Sequence, residues 1–138
     1  MKYFIDTNLI IDAYEKKKPD AIEKLKPILE DEESEIFVNR LVYLETLRTV
    51  KLTNSKNFQQ LKTIFESFGI LDITQEIYDK AIQLSRYSQS KGISLKGKCA
   101  AMDFLHFITA QHYQLELLAC DRDMEKLTRV YTEWQSSN

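Results

Sequence analysis

The sequence predicts an α/β fold with a short, mostly parallel central sheet flanked by helices. Three observations predict it. Short apolar runs alternate along the chain with longer stretches of helical periodicity, the pattern of βα units that call for a parallel sheet. Punctuation is sparse, with three glycines and two prolines in 138 residues, so helices should predominate. Two of the apolar runs end directly on aspartates, Asp6 and Asp121, and open α/β sheets bind ligands beyond the carboxyl ends of their strands.

Residues 2–5 are a short apolar run ending on Asp6 and form the first expected strand. Residues 8–14 follow as a helix with Leu9, Ile10 and Ala13 on one side. Pro19 opens the next helix, a favoured place for proline, and Ala21, Ile22, Leu25, Ile28 and Leu29 keep its period; Pro27 falls inside and should kink or split it. Residues 35–38 are a second strand. Asn39 is a candidate N-cap for a helix over 40–51 whose apolar stripe is Leu41, Leu44, Leu47 and Val50. Ser55 can cap a helix carrying Phe58, Leu61, Ile64, Phe65 and Phe68, closed by Gly69 as the residue past its end. Residues 70–73 form a third strand, and Thr74 opens a long helix running to Lys91 and stopped by Gly92. A loop over 93–98 leads to a helix over 99–112. A last strand covers 115–119, a short helix or turn 123–129, and the tail with Tyr131 and Trp134 has no clear pattern.

A chain of this length fits one domain, residues 1–138. Its 43% hydrophobic residues can fill a core and its 29% charged residues suit a soluble surface. No apolar run approaches the ~20 residues of a membrane span. Asp6 stands where a secretory signal would still be apolar, so the expected location is the cytoplasm. Cys99 and Cys120 read as small buried apolar residues, with a thiol pair or redox role as the alternative because both lie near acids. Two cysteines and two histidines without ligand spacing exclude zinc. A net charge of −2 does not announce a nucleic-acid binder, nor does it forbid one whose carboxylate-rich site is rimmed by basic side chains.

The acids carry the chemistry. Asp6 sits at a strand end, where it could also simply cap the next helix. Asp121 and Asp123 follow the last strand and could be an N-cap pair. Glu45 borders the apolar stripe of its helix, where a solvated residue paired with Arg48 is the plain alternative. Asp103 is the strongest anomaly, set in Ala100-Ala101-Met102-Asp103-Phe104-Leu105-His106-Phe107. A helix apolar nearly all round is buried, and a charge there must be paired, metal-bound or neutralised. Four such carboxylates suit Mg²⁺ or Mn²⁺, which prefer carboxylate oxygen and water and assist displacement at phosphorus.

At these residues the chain resembles the PIN-domain nucleases, and within them the small VapC-type toxins of bacterial toxin–antitoxin pairs. Phe4-Ile5-Asp6-Thr7-Asn8 looks like the family's opening strand and first metal-binding acid. Leu44-Glu45-Thr46-Leu47 resembles its helical Glu motif. Ala101-Met102-Asp103-Phe104-Leu105 with Thr109-Ala110 is similar to its third acid motif, and Leu117-Leu118-Ala119-Cys120-Asp121-Arg122-Asp123 to the closing one, with Asp121 as fourth acid and Asp123 as helper. The resemblance implies a PIN-like three-layer sandwich, Mg²⁺ or Mn²⁺ dependence, cleavage of RNA, frequent homodimers and inhibition by a small antitoxin. Ala119 stands where a threonine is usual, Met124 where an aromatic is common, and Asn39 and Val42 lie where a serine is often found. These departures bear on tuning and substrate preference and leave the four acids intact.

Around the acids, Thr7 supports the site, and Asn8 either orients a metal's water shell or caps the first helix. Asp12 reads as a solvated helix residue, His106 as a hydrogen-bonded core histidine and His112 as a complement to a helix dipole. Arg40, Arg48, Lys96, Lys98 and Arg122 are the candidate phosphate contacts for RNA. A haloacid-dehalogenase-type phosphatase is excluded because Asn8 stands where its second aspartate belongs, and a receiver domain because Glu45 falls inside a helix. The competing reading is a PIN-like module that binds RNA or protein without cutting.

Overall fold

The computed structural model describes residues 1–93, 100–119 and 124–137. The chain divides into two compact units: Met1–Asp72 with Glu116–Ala119, and Ile73–Leu115 with Cys120–Asn138. The first contains β1 (Lys2–Ile5), α1 (Thr7–Tyr14), α2 (Pro19–Glu30), β2 (Glu35–Asn39), α3 (Arg40–Leu47), α4 (Ser55–Glu66), β3 (Gly69–Leu71) and β4 (Glu116–Leu118). Its four strands form one sheet in the order β3-β2-β1-β4, and every pair is parallel. Phe4 is in register with Phe37 on one side and Leu117 on the other. The predicted α/β class and parallel sheet are therefore what the chain forms.

β1 lies between two neighbours, and Phe4 and Ile5 are buried; central parallel strands are covered on both faces and read as apolar runs. Because all strands run the same way, Asp6, Arg40, Asp72 and Ala119, which follow them, share one sheet edge. α1 buries Leu9, Ile10 and Ala13, as its period requires. α2 starts at Pro19 and continues unbroken through Pro27, so the expected split does not occur. Pro27 and Glu23, whose carbonyl loses its helical partner, are both exposed, and water can take up that acceptor.

Asn39 caps α3 as expected, its Oδ1 accepting from the Val42 amide at 2.9 Å. α3 ends at Leu47, short of the predicted Lys51, because the chain tightens: Thr49 and Val50 donate to Thr46 and Leu47, each three residues back, and the Thr49 hydroxyl binds Thr46 O. Its buried face also differs from the expected stripe. Val42, Thr46 and Leu47 point inward, while Leu44 is 59% exposed. The cap on α4 is Asn54, accepting from Asn57 N, rather than Ser55. Gly69 does not close α4. It opens β3, where a Cβ would stand 2.5 Å from Phe37 Cδ1, so the position is kept open for the Phe37 ring on the paired strand.

The second unit contains α5 (Gln75–Ser90), α6 (Ala100–His112) and α7 (Met124–Ser137). The Thr74 hydroxyl accepts from Ile77 N to cap α5, and Gly92 leaves it with a φ of +68°, the left-handed turn that glycine adopts freely. α6 buries every residue from Phe104 to Ala110. The tail is not irregular. It is a helix that buries Leu127, Val130 and Trp134, and Tyr131 stacks edge-on against Phe107 with centroids 5.3 Å apart. Trp134 is thus buried in this unit and Tyr131 half-buried beside it. Among the described residues no helix is long and apolar enough to cross a membrane.

Candidate active site

Asp6 occupies the N-cap position of α1 with extended backbone (φ −80°, ψ 150°), yet its side chain makes no capping hydrogen bond. Capping therefore does not account for the acid. The residue is only 8% exposed, and its backbone is tied down: its amide donates to Leu118 O at 2.8 Å, and its carbonyl accepts from Ile10 N at 3.4 Å. A carboxylate held this far from water is costly unless charge or hydrogen bonds answer it.

Thr7, the next residue, connects Asp6 to the second acid. Its hydroxyl donates to Glu45 Oε1 at 3.1 Å, and Thr7 is itself buried. Glu45 is half-buried on α3, so within the first unit α1 and α3 are tied by the Thr7–Glu45 bond one residue beyond Asp6. Asn8 is exposed in the first turn of α1, and with Asp6 at the cap position it does not cap that helix.

Asp103 belongs to the second unit, in the first turn of α6. It is half-buried at a helix N-terminus, where the backbone dipole favours negative charge, rather than enclosed like Phe104 to Ala110 after it. His106 is buried in the α6 core face, in keeping with a core histidine. Asp121, Asp123, Lys96, Lys98, Arg122, Cys99 and Cys120 lie outside the described residues. Among the described residues no three His, Cys, Asp or Glu side chains gather within reach of one ion.

The basic candidates divide. Arg40 is exposed and binds Asp72 Oδ1 at 2.9 Å, so that cation already has a carboxylate partner on the strand-end edge. Arg48 is exposed at the end of α3, its amide closing the helix on Leu44 O. Asp12 is paired rather than merely solvated, with Lys16 at 3.8 Å and Lys18 at 3.6 Å.

One participant was not singled out from the sequence. The Lys24 ammonium on α2 donates to Ala119 O at 2.6 Å, at the end of the strand that receives the Asp6 amide. Its only sequence signal is placement: Lys24 shares the face of Ala21 and Ile28 at helical spacing, so it borders the buried stripe of α2.

Chemically, the edge offers hard oxygen donors. A buried carboxylate and a hydroxyl-oriented second one are of the kind a divalent cation that binds oxygen prefers.

A family model described as PIN domain matches residues 3–130, a stretch that runs through both units. No curated protein matches the sequence. Among solved structures, VapBC2 from Rickettsia felis bound to a DNA fragment from its promoter superposes with a TM-score of 0.71 at 18% identity, covering 91% of this chain and 92% of that one. VapBC-1 from nontypeable Haemophilus influenzae gives 0.70 at 14% identity over 96% and 94%. A toxin–antitoxin complex from Klebsiella pneumoniae gives 0.59 at 20% identity over 85% and 84%. At these identities the likeness is one of fold.

Proposed function

The chain belongs to the PIN domain family, and on that premise we propose that it is a Mg²⁺- or Mn²⁺-dependent endoribonuclease and the toxin of a toxin–antitoxin pair. The observation that carries the reading is Asp6: a buried carboxylate at a strand end whose side chain does not cap the helix it precedes. Its ligand partners in this reading are Glu45, Asp103 and Asp121, with Asp123 as a fifth acid. In this reading residues 1–138 form a single PIN-like domain, which the family match over residues 3–130 supports.

The donor set fits a hard divalent ion in kind. Bound there, the ion supplies Lewis acidity for displacement at phosphorus. The protein's own share is orientation. Thr7 fixes one oxygen of Glu45 through its hydroxyl, and the Leu118 carbonyl fixes the backbone from which the Asp6 carboxylate projects. Arg40, Arg48, Lys96, Lys98 and Arg122 are the proposed phosphate contacts, with Arg40 exchanging Asp72 for the substrate.

The toxin assignment draws support from the likeness in fold to a structure described as a toxin–antitoxin complex, the one from Klebsiella pneumoniae. Leu44 at 59% exposure and Leu52 at 97% offer apolar surface to an antitoxin or to a second copy in a homodimer. The site of action is the cytoplasm.

The test is cleavage of single-stranded RNA with Mg²⁺ or Mn²⁺ by the wild type, Asp6→Asn and Glu45→Gln. The wild type should cut and both variants should lose at least a hundredfold in rate while keeping their fold. If the wild type fails to cut, yet it and Asp6→Asn bind RNA equally, the chain is a non-catalytic binding module.

A further inference from the structure

Lys24 sits in the middle of α2, half-buried, with its ammonium 2.6 Å from Ala119 O. The carbonyl just before that one, Leu118 O, accepts the Asp6 amide at 2.8 Å. Two successive carbonyls at the end of β4 are therefore held from opposite chain segments, one by the backbone of the buried acid and one by a cation.

A strand-end carbonyl needs only a donor. Water or a neutral side chain would supply it without partly desolvating an ammonium, and lysines generally keep that group in solvent. A cation in this place adds something a neutral donor lacks, positive charge on the edge where Asp6 is buried. α2 also packs against α1, the helix that begins with Thr7, so the helix bearing Lys24 touches both α1 and the end of β4.

We infer that Lys24 is a positioning residue for the carboxylate site: its ammonium pins the end of β4 to α2 and so holds the Asp6 backbone bonded beside it. The inference rests on the metal-dependent nuclease reading. Groups that orient ligands in this way alter metal affinity or activity by about 10–100-fold when replaced.

The experiment compares wild type with Lys24→Met, Lys24→Gln and Lys24→Arg in the full chain, each at a temperature well below its own melting point. Four quantities are read: Mn²⁺ affinity by calorimetry, kcat and KM on single-stranded RNA, and hydrogen exchange of the Asp6 amide without metal. Lys24→Met should weaken Mn²⁺ binding and lower kcat by about tenfold or more, leave KM within twofold, and speed Asp6 exchange while the Phe4 amide stays protected. Lys24→Arg should recover most of each quantity. Lys24→Gln, which restores a donor without charge, should recover the exchange protection but less of the Mn²⁺ affinity.

A fall in melting temperature with Mn²⁺ affinity, kcat and Asp6 exchange unchanged would leave Lys24 a plain structural contact and overturn the inference. A rise in KM alone overturns it too, because the lysine then contacts substrate. A wild type that neither binds Mn²⁺ nor cuts RNA removes the nuclease reading itself, an outcome distinct from a working wild type that tolerates Lys24→Met.

Discussion

Replacing Thr7 by valine removes one hydroxyl and little volume, so it isolates the bond to Glu45. That bond is 3.1 Å long, beyond the usual 2.7–2.8 Å of O–H···O contacts. Its acceptor is half exposed, so it belongs at the low end of the ~1.5–3 kcal/mol range for hydrogen bonds to charged groups. Thr7 is 6% exposed, and the valine methyl is welcome in its place, which offsets part of the loss. The net destabilisation should be about 1 kcal/mol, a fall in Tm of roughly 4 °C. The effect on catalysis should be larger than that on folding, because Glu45 regains freedom where its orientation matters. If about 1.4 kcal/mol of transition-state stabilisation goes with the bond, cleavage of single-stranded RNA slows about tenfold. The assay is steady-state cleavage of a fluorescent RNA under saturating Mg²⁺, alongside thermal melts, for Thr7→Val and Thr7→Ser. Serine keeps the donor and should retain most of the rate. A valine variant as fast as wild type, or a serine variant as impaired as the valine one, refutes the claim that this hydroxyl orients Glu45.

Three further outcomes follow from the packing. Gly69→Ala would place a Cβ 2.5 Å from the Phe37 ring and should cost about 1–3 kcal/mol in urea unfolding, with much of it recovered by adding Phe37→Leu; equal loss in the single and double variants would place the strain elsewhere. Thr46 is fully buried, and its hydroxyl has no hydrogen-bond partner among the described residues, so Thr46→Val should raise stability by about 1 kcal/mol; a destabilised variant would reveal a bond to that oxygen. Burial pushes the Tyr14 phenol above its ordinary value of 10.0. Its contribution to stability is therefore complete below the unfolded value and lost as pH rises through the folded one, and phenolate absorbance should show one tyrosine titrating late that Tyr14→Phe removes.

The sheet was legible because its strands are short apolar runs closed by polar residues, and central parallel strands have no solvated face to blur that signal. Asp6 was legible for the same reason, as the polar residue that ends β1. Other features depended on partners remote in the chain. The inward side of α3 is set by the Asn39 cap and by packing on α1, and eight residues with leucines at 41, 44 and 47 fit more than one rotation. Trp134 looked like a loose tail residue because its ring meets Tyr131 of the preceding turn, which itself meets Phe107 of another helix. Gly69 after an amphipathic helix reads as a terminator, and only the pairing with Phe37 makes it a strand residue. Lys24 was hidden in the same way, since a lysine beside an apolar stripe is ordinary until a carbonyl from the far end of the sequence meets it.

The neighbours of β1 have a consequence for synthesis. One of them, β4, is not made until residues 116–118, although β1 begins at Lys2. Pairings across such a span form late and slowly, and here they must wait until residues 116–118 have left the ribosome. Until then the Asp6 amide lacks the carbonyl that holds it. On the proposed reading, the backbone that carries the first acid of the site is thus fixed only once β4 has been made.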